Sequence, residues 1–138
     1  MADLTITAAS VVAGSNSTQE WGVAGATITA GSTVYYDTTT SKWKLADAND
    51  ASLPVRMSSK GGIALTGSSD GQPICVLRAG DVVIGATLTA GTAYYLSGTA
   101  GKICPLADVT TGMSVVLLGI ASSTTNLKVA IAYSGVQL

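Results

Sequence analysis

The chain has no histidine and no phenylalanine. Charged residues make up 11% of its 138 positions, under half the usual quarter. Seven basic side chains stand against eight acidic ones, for a formal charge of -1. Cysteine occurs only twice and proline three times. Each shortage excludes something. Without histidine, the commonest general base and the usual partner of a serine or cysteine nucleophile are both missing. Seven scattered basic residues make no phosphate-binding patch, so nucleic acid is not an expected partner. The longest clean apolar run, Val115 to Ala121, falls far short of the ~20 residues of a membrane-spanning helix, so no membrane partner is expected either. The opening Met1-Ala2-Asp3 has no basic region, apolar segment or cleavage pattern of a secretory signal. Cys75 and Cys104 are therefore expected to be reduced and mostly buried, and Asn16-Ser17-Thr18 to be a glycosylation pattern without consequence.

The carboxylates are spread singly. Asp47 and Asp50 are the closest pair, and they read as caps of one helical turn over Ala46 to Ser52, ended by Leu53-Pro54. Leu106 to Thr110 reads as a second such turn. No stretch resembles a calcium loop, a zinc site or a phosphate-binding loop ending in Lys-Ser or Lys-Thr. No catalytic, metal-binding or cofactor-binding residue is expected, and the chain does not read as an enzyme or as a holder of a cofactor.

Apolar residues, by contrast, reach 47%, with mean hydropathy +0.44 and 16 glycines. That is the reverse of a disordered chain. The apolar residues come in short runs broken by Thr, Ser and Gly. Leu4, Ile6 and Ala8 alternate with Thr5 and Thr7; Lys42-Trp43-Lys44-Leu45 alternates strictly; Leu127, Val129, Ile131 and Tyr133 share one face. A period of two marks half-buried strands. Gly/Ser/Thr/Asn clusters such as Asp37 to Ser41 and Ser122 to Asn126 separate them as turns.

The organising feature is a repeat. Gly25-Ala26-Thr27-Ile28-Thr29-Ala30-Gly31 recurs sixty positions later as Gly85-Ala86-Thr87-Leu88-Thr89-Ala90-Gly91. The register continues ungapped: Tyr35 falls on Tyr95, Lys42 on Lys102, and Trp43 on Ile103. The spacing then shortens, and Gly62-Ile63-Ala64 falls on Gly119-Ile120-Ala121. Final strands over Pro73 to Arg78 and Lys128 to Tyr133 end in Ala79-Gly80 and Ser134-Gly135. The expected architecture is all-β: two duplicated small barrel or sandwich units packed into one body, with an N-terminal strand or arm. The boundaries are 1–20 for that segment, 21–80 for the first unit and 81–138 for the second.

Seven aromatic side chains, Trp21, Trp43, Tyr35, Tyr36, Tyr94, Tyr95 and Tyr133, are candidates for stacking on sugars. Paired tyrosines put one ring on each face of a strand, so one of each pair is expected in the core. Tyr35 and Tyr95 hold equivalent repeat positions, which favours a structural role for both.

The opening Met1-Ala2-Asp3-Leu4-Thr5-Ile6-Thr7 and the Gly-Ala-Thr-x-Thr-Ala-Gly segments carry a resemblance. So do Ala93-Tyr94-Tyr95-Leu96-Ser97, the run Gly101 to Asp108, Leu117 to Ala121 and Tyr133-Ser134-Gly135. Together they resemble small structural proteins of tailed bacteriophages, of the capsid decoration or cement type, over nearly the whole chain. The resemblance implies a non-enzymatic protein made in the bacterial host cytoplasm and bound to the outer capsid surface of the virion. Its partner would be the major capsid protein, and its copies would cluster, with a trimer the first expectation. A tail- or fibre-associated virion module and a carbohydrate-binding module are the alternatives. Residues 1–20 lie outside the repeat. Leu4 and Ile6 are the candidate capsid-contact residues if this segment is an arm adding a strand to a neighbour; if it completes the fold, they belong to the core.

Overall fold

A computed structural model describes residues 3–49 and 60–138. Among them are ten strands, single 3-10 turns at Ala8–Ser10 and Leu106–Asp108, and no α-helix. The strands are β1 (Val12–Ala13), β2 (Thr18–Val23), β3 (Thr33–Asp37), β4 (Lys42–Leu45) and β5 (Gly61–Ala64). They continue with β6 (Pro73–Val83), β7 (Ala93–Leu96), β8 (Ile103–Pro105), β9 (Ser114–Ala121) and β10 (Asn126–Gln137). Thr, Val, Ile and Tyr fill them because branched and aromatic side chains suit a pleated, half-buried surface. The expected all-β class is what forms, as a curled antiparallel sheet making a half-barrel. No helix among the described residues is long and apolar enough to cross a membrane.

The strands run in the order β4-β3-β5-β6-β10-β9-β7-β8, with β1 and β2 on the far edge of β6. Strand β6 serves twice. Its first part, from Pro73 to Ala79, lies against β2, with β5 on the other side at Val76 and Leu77. Its second part, from Gly80 to Val83, lies against β10, with β1 on the other side. Gly80 sits between them at φ +101, a backbone conformation open to glycine, and a Cβ there would come 2.7 Å from the Asn16 carbonyl oxygen. Two half-sheets result, β4-β3-β5-β6-β2 and β8-β7-β9-β10-β6, with one strand order.

The pairing registers correspond as well. Val34 lies opposite Leu45 and Tyr94 opposite Pro105, both members shifted by sixty. Trp21 lies opposite Cys75, and Asp81 opposite Lys128. The Gly31 N–H donates to the Ala64 carbonyl at 2.8 Å, and the Gly91 N–H to that of Ala121 at 2.7 Å. The small core of the first half contains Ala24, Ile28, Val34, Trp43, Ala64, Ile74 and Val76. Their counterparts Ile84, Leu88, Tyr94, Ile103, Ala121, Leu127 and Val129 are all buried in the second.

Three expectations need restating. First, the halves are not two separate barrels. The 80/81 boundary falls inside β6. Tyr35, Ile63 and Leu77, on the outward side of the first half-sheet, enter the larger core with the second half. Backbone bonds stitch the halves: Thr33 N–H to the Gly101 carbonyl at 3.0 Å, and Gly101 N–H to that of Ala46 at 2.8 Å. A small half-sheet leaves too much apolar surface exposed by itself, and the two cover each other. Second, Asp3 to Ala8 is not a strand. The Leu4 N–H bonds the Ile103 carbonyl on β8 and the Thr7 N–H that of Gly85 in the turn after β6, three residues apart along the segment, so no ladder forms. Third, the turn expected over Ala46 to Ser52 is described only to Asn49. There the Asp47 carboxylate accepts the Asn49 N–H at 2.8 Å; Asp50 and Leu53-Pro54 lie outside the described residues. The turn after Pro105 forms as the 3-10 turn Leu106–Asp108.

Candidate interaction surface

The N-terminal segment is used within the fold. Leu4 and Ile6 are half-buried against the larger core. Ile6 also covers the first Gly-Ala-Thr turn, where a Cβ on Gly31 would lie 2.5 Å from its Cγ2. The Ser97 hydroxyl donates to the Asp3 carboxylate at 2.6 Å. The two candidate contact residues therefore lock together the halves of their own chain.

Several ionisable groups pair within the first half. Asp37 is 7% exposed at its side chain and pairs with Lys44 at 2.9 Å. The Lys44 ammonium and the Thr39 N–H hold its carboxyl down at about 2, and the same pair raises the Lys44 pKa. Across the inner face of the first half, Glu20 accepts from Lys60 at 2.9 Å and from Arg78 at 3.3 Å. The Lys60 ammonium lies 4.1 Å from the Tyr36 ring centre, and that ring meets Trp43 edge-on at 5.4 Å. This cluster lies against Trp43, which has no exposed surface.

Both cysteines are free and buried. Burial, then the charges of Asp3 and Asp108, push the Cys104 thiol up to about 11. Burial also raises Cys75, whose thiol points at the Gln19 side-chain oxygen. Neither supplies thiolate near neutral pH. A cleft of about 530 Å³ is lined by Asp3, Asn49, Ser97, Thr99 and Asp108, and one of about 380 Å³ by Thr5, Thr7, Ser10 and Thr87. The first sets hydroxyls beside the Asp3 and Asp108 carboxylates, and the second is lined by hydroxyls and small apolar residues. Among the described residues no three His, Cys, Asp or Glu side chains group to hold a metal ion.

The aromatics sort by repeat position. Tyr35 and Tyr94 are buried, Tyr36, Tyr95 and Tyr133 half-buried, and one member of each tyrosine pair is in the core as expected. Tyr35 points outward, like Tyr95, and is covered because the halves pack there. Only Trp21 stands clear, 66% exposed on the outward side of β2 beside Val23 at 39%. It is the side chain that the sequence reading undervalued. Its counterpart sixty positions on is Asp81, and a position that takes aspartate in one copy faces water in the other. In the second half Val12 and Val83 are exposed opposite each other, and Ile120 is exposed opposite Lys128.

The exposed apolar side chains thus include an indole on an edge strand and a few β-branched side chains, on a chain that carries little charge. No family model matches the chain, and no curated protein matches it.

Proposed function

We propose that the protein is a non-enzymatic structural component of a tailed-bacteriophage virion, bound outside the capsid shell and stabilising it. The major capsid protein is the partner, and copies cluster on the shell, in threes by the resemblance. The observation that carries the reading is Trp21, 66% exposed beside Val23 and outside both hydrophobic cores. Such a residue serves contact with another molecule, because burying an indole in an interface contributes more than burying most other side chains. The low charge of the chain suits interfaces whose centres exclude charge. A repeating shell multiplies a modest single contact into firm retention.

In this reading Leu4 and Ile6 position the surface and do not make the contact. The test is co-sedimentation of the purified chain with capsid shells that lack it, followed by a reconstruction of the decorated shell. Wild-type chain pellets with shells and adds density outside them. Trp21→Ala weakens binding by more than about tenfold while its circular dichroism is unchanged. A chain that stays in the supernatant and adds no density overturns the reading. Strong binding to a glycan array by a chain that ignores shells would favour the carbohydrate-binding alternative instead.

A further inference from the structure

Residues 3–11 are held more loosely than the strands they cover. None of their side chains is fully buried: Asp3, Leu4, Ile6 and Val11 are half-buried, and Thr5 and Thr7 to Ser10 are exposed. Only two of their backbone N–H groups reach the rest of the chain, Leu4 to the Ile103 carbonyl at 2.8 Å and Thr7 to that of Gly85 at 2.9 Å. Among the described residues, no backbone N–H of the rest donates back to a carbonyl of the segment. Its other backbone bonds, Ser10 to Thr7 and Val11 to Ala8, close its own 3-10 turn, which has no side-chain cap and no buried residue. The Ser97 hydroxyl adds a bond to Asp3 at 2.6 Å.

The seat beneath is smooth. Ile6 lies over Gly31 of the first half and Thr7 over Gly85 of the second; an added Cβ would come 2.5 Å from the Ile6 Cγ2 in one case and from the Thr7 carbonyl oxygen in the other. Two bare stretches of backbone give the segment no side chains to interlock with. What the segment covers is tightly packed. Ile103 and Cys104 have no exposed surface, and the Cys104 thiol feels the charge of Asp3. The stitches between the halves are also deep, because Thr33 and Ala46 have no exposed surface and Gly101 is buried. A stretch with few buried contacts and few shared bonds opens at lower cost than a core strand.

We infer that residues 3–11 form a strap that lifts as a unit, hinged where β1 begins at Val12, while both halves stay folded, and that lifting it bares the seam between Gly85 and Ile103 and the Cys104 thiol beside it. The first half has no matching open state, because its own Gly25 N–H closes on the Trp43 carbonyl. Access of a thiol reagent to Cys104 is then set by the strap and not by unfolding of the whole chain. The strap opens in the free chain, with or without a capsid partner.

The test is amide exchange followed by NMR on the full-length chain, from no urea to well below the unfolding midpoint. Maleimide labelling of Cys104, located by peptide mass mapping, runs beside it. Leu4 and Thr7 exchange together, at least about a hundredfold less protected than Thr33 and Gly101. Their rates hardly change with urea, because lifting a short segment exposes little surface. Cys104 is labelled with the same shallow dependence. Ile6→Ala speeds all three by more than about tenfold. Thr38→Ala, in an exposed turn of the first half, leaves them unchanged. Leu4 and Thr7 as protected as Thr33 and Gly101, with the steep urea dependence of whole-chain unfolding, overturn the inference. So does a Cys104 that reacts only with that steep dependence, or rates that Ile6→Ala does not move.

Discussion

In the first half of the molecule, Ala24 forms a parallel bridge with Trp43, and the Gly25 N–H donates to the Trp43 carbonyl at 2.7 Å. In the second, the matching glycine and carbonyl, at Gly85 and Ile103, are joined through a third party. Leu4 takes the Ile103 carbonyl and Thr7 reaches Gly85. The same backbone is thus closed directly in one half and by an inserted segment in the other. Side chains follow suit. Gly22 leaves room for the Trp43 indole, since a Cβ there would lie 2.6 Å from Nε1. At the equivalent place stand Val82 and Ile103, a larger residue facing a smaller one, both fully buried. The turn after β3 is bound by the Asp37 carboxylate, which accepts the Thr39 N–H at 3.0 Å. Its counterpart Ser97 accepts the Thr99 N–H at 3.1 Å and takes its acidic partner, Asp3, from the N-terminal segment. One frame tolerates two closures as long as the volume inside and the bonding of the turn are conserved.

The sharpest way to break this comparison is to exchange the paired volumes. Trp43→Ala empties the first core and costs about 3–5 kcal/mol. Gly22→Val alone forces a branched side chain into the indole and costs about 1–3 kcal/mol or more. Gly22→Val with Trp43→Ile copies the second half, and its loss falls below the sum of the single changes. Urea unfolding in a double-mutant cycle measures the coupling; strict additivity would show that the two positions are not complementary.

Next come the two turn glycines. Gly31 and Gly91 share positive φ, +91 and +81. A Cβ meets Ile6 and Val11 at Gly31 and nothing within 4 Å at Gly91. Gly91→Ala therefore costs backbone strain alone, about 1–2 kcal/mol. Gly31→Ala adds overpacking of about 1–3 kcal/mol. Shortening the N-terminus past Ile6 should bring the two costs together. Equal losses in the full chain would remove Ile6 from its place under the first turn.

These pairs also show what was legible in the residues. The offset of sixty places Gly31 with Gly91 and Trp43 with Ile103 because turn geometry and core volume act locally. The same offset would have set Gly22 against Val82 and Trp21 against Asp81. The sharing of β6 was hidden because Ala79-Gly80 reads as a strand end, whereas Gly80 is a bend inside one. The alternation of Leu4 and Ile6 marked their apolar side correctly. It carried no sign that the Leu4 N–H would meet the carbonyl of Ile103, about a hundred residues away, since periodicity reports a face and not what covers it.

Acid separates the halves in another way. The Asp37 carboxyl sits at about 2 in the fold against 3.8 for its ordinary value. A lowered carboxyl adds stability that is complete above about pH 4 and is lost as pH falls through about 2. Unfolding midpoints followed from pH 5 to pH 2 should drop over that window. In Asp37→Ser, which copies Ser97, the part of the drop that belongs to this pair disappears and Lys44 is left without its ion pair. An unchanged acid profile in the variant would mean that other carboxylates carry the effect.

The smallest effect is at the end of the same turns. Ser41 adopts φ +58, the one positive value outside glycine among the described residues, and its counterpart is Gly101 at φ +76. A side chain in that region costs roughly 1–2 kcal/mol, less for a short polar residue that bonds locally. Glycine removes the strain but loses roughly 0.5–1 kcal/mol through the greater freedom of the unfolded chain. Ser41→Gly should therefore stabilise by only a few tenths of a kcal/mol, within reach of careful denaturant titration. The reverse exchange is not its mirror image. Gly101→Ala meets strain and also Leu45, whose Cδ2 would lie 2.8 Å from the new Cβ. It disturbs the place where Gly101 bonds Ala46 and Thr33 of the other half, and should cost more than about 1 kcal/mol. If the two changes had equal and opposite effects, the turns would be interchangeable parts. The expected asymmetry arises because the second turn is also the contact that holds the first half in place.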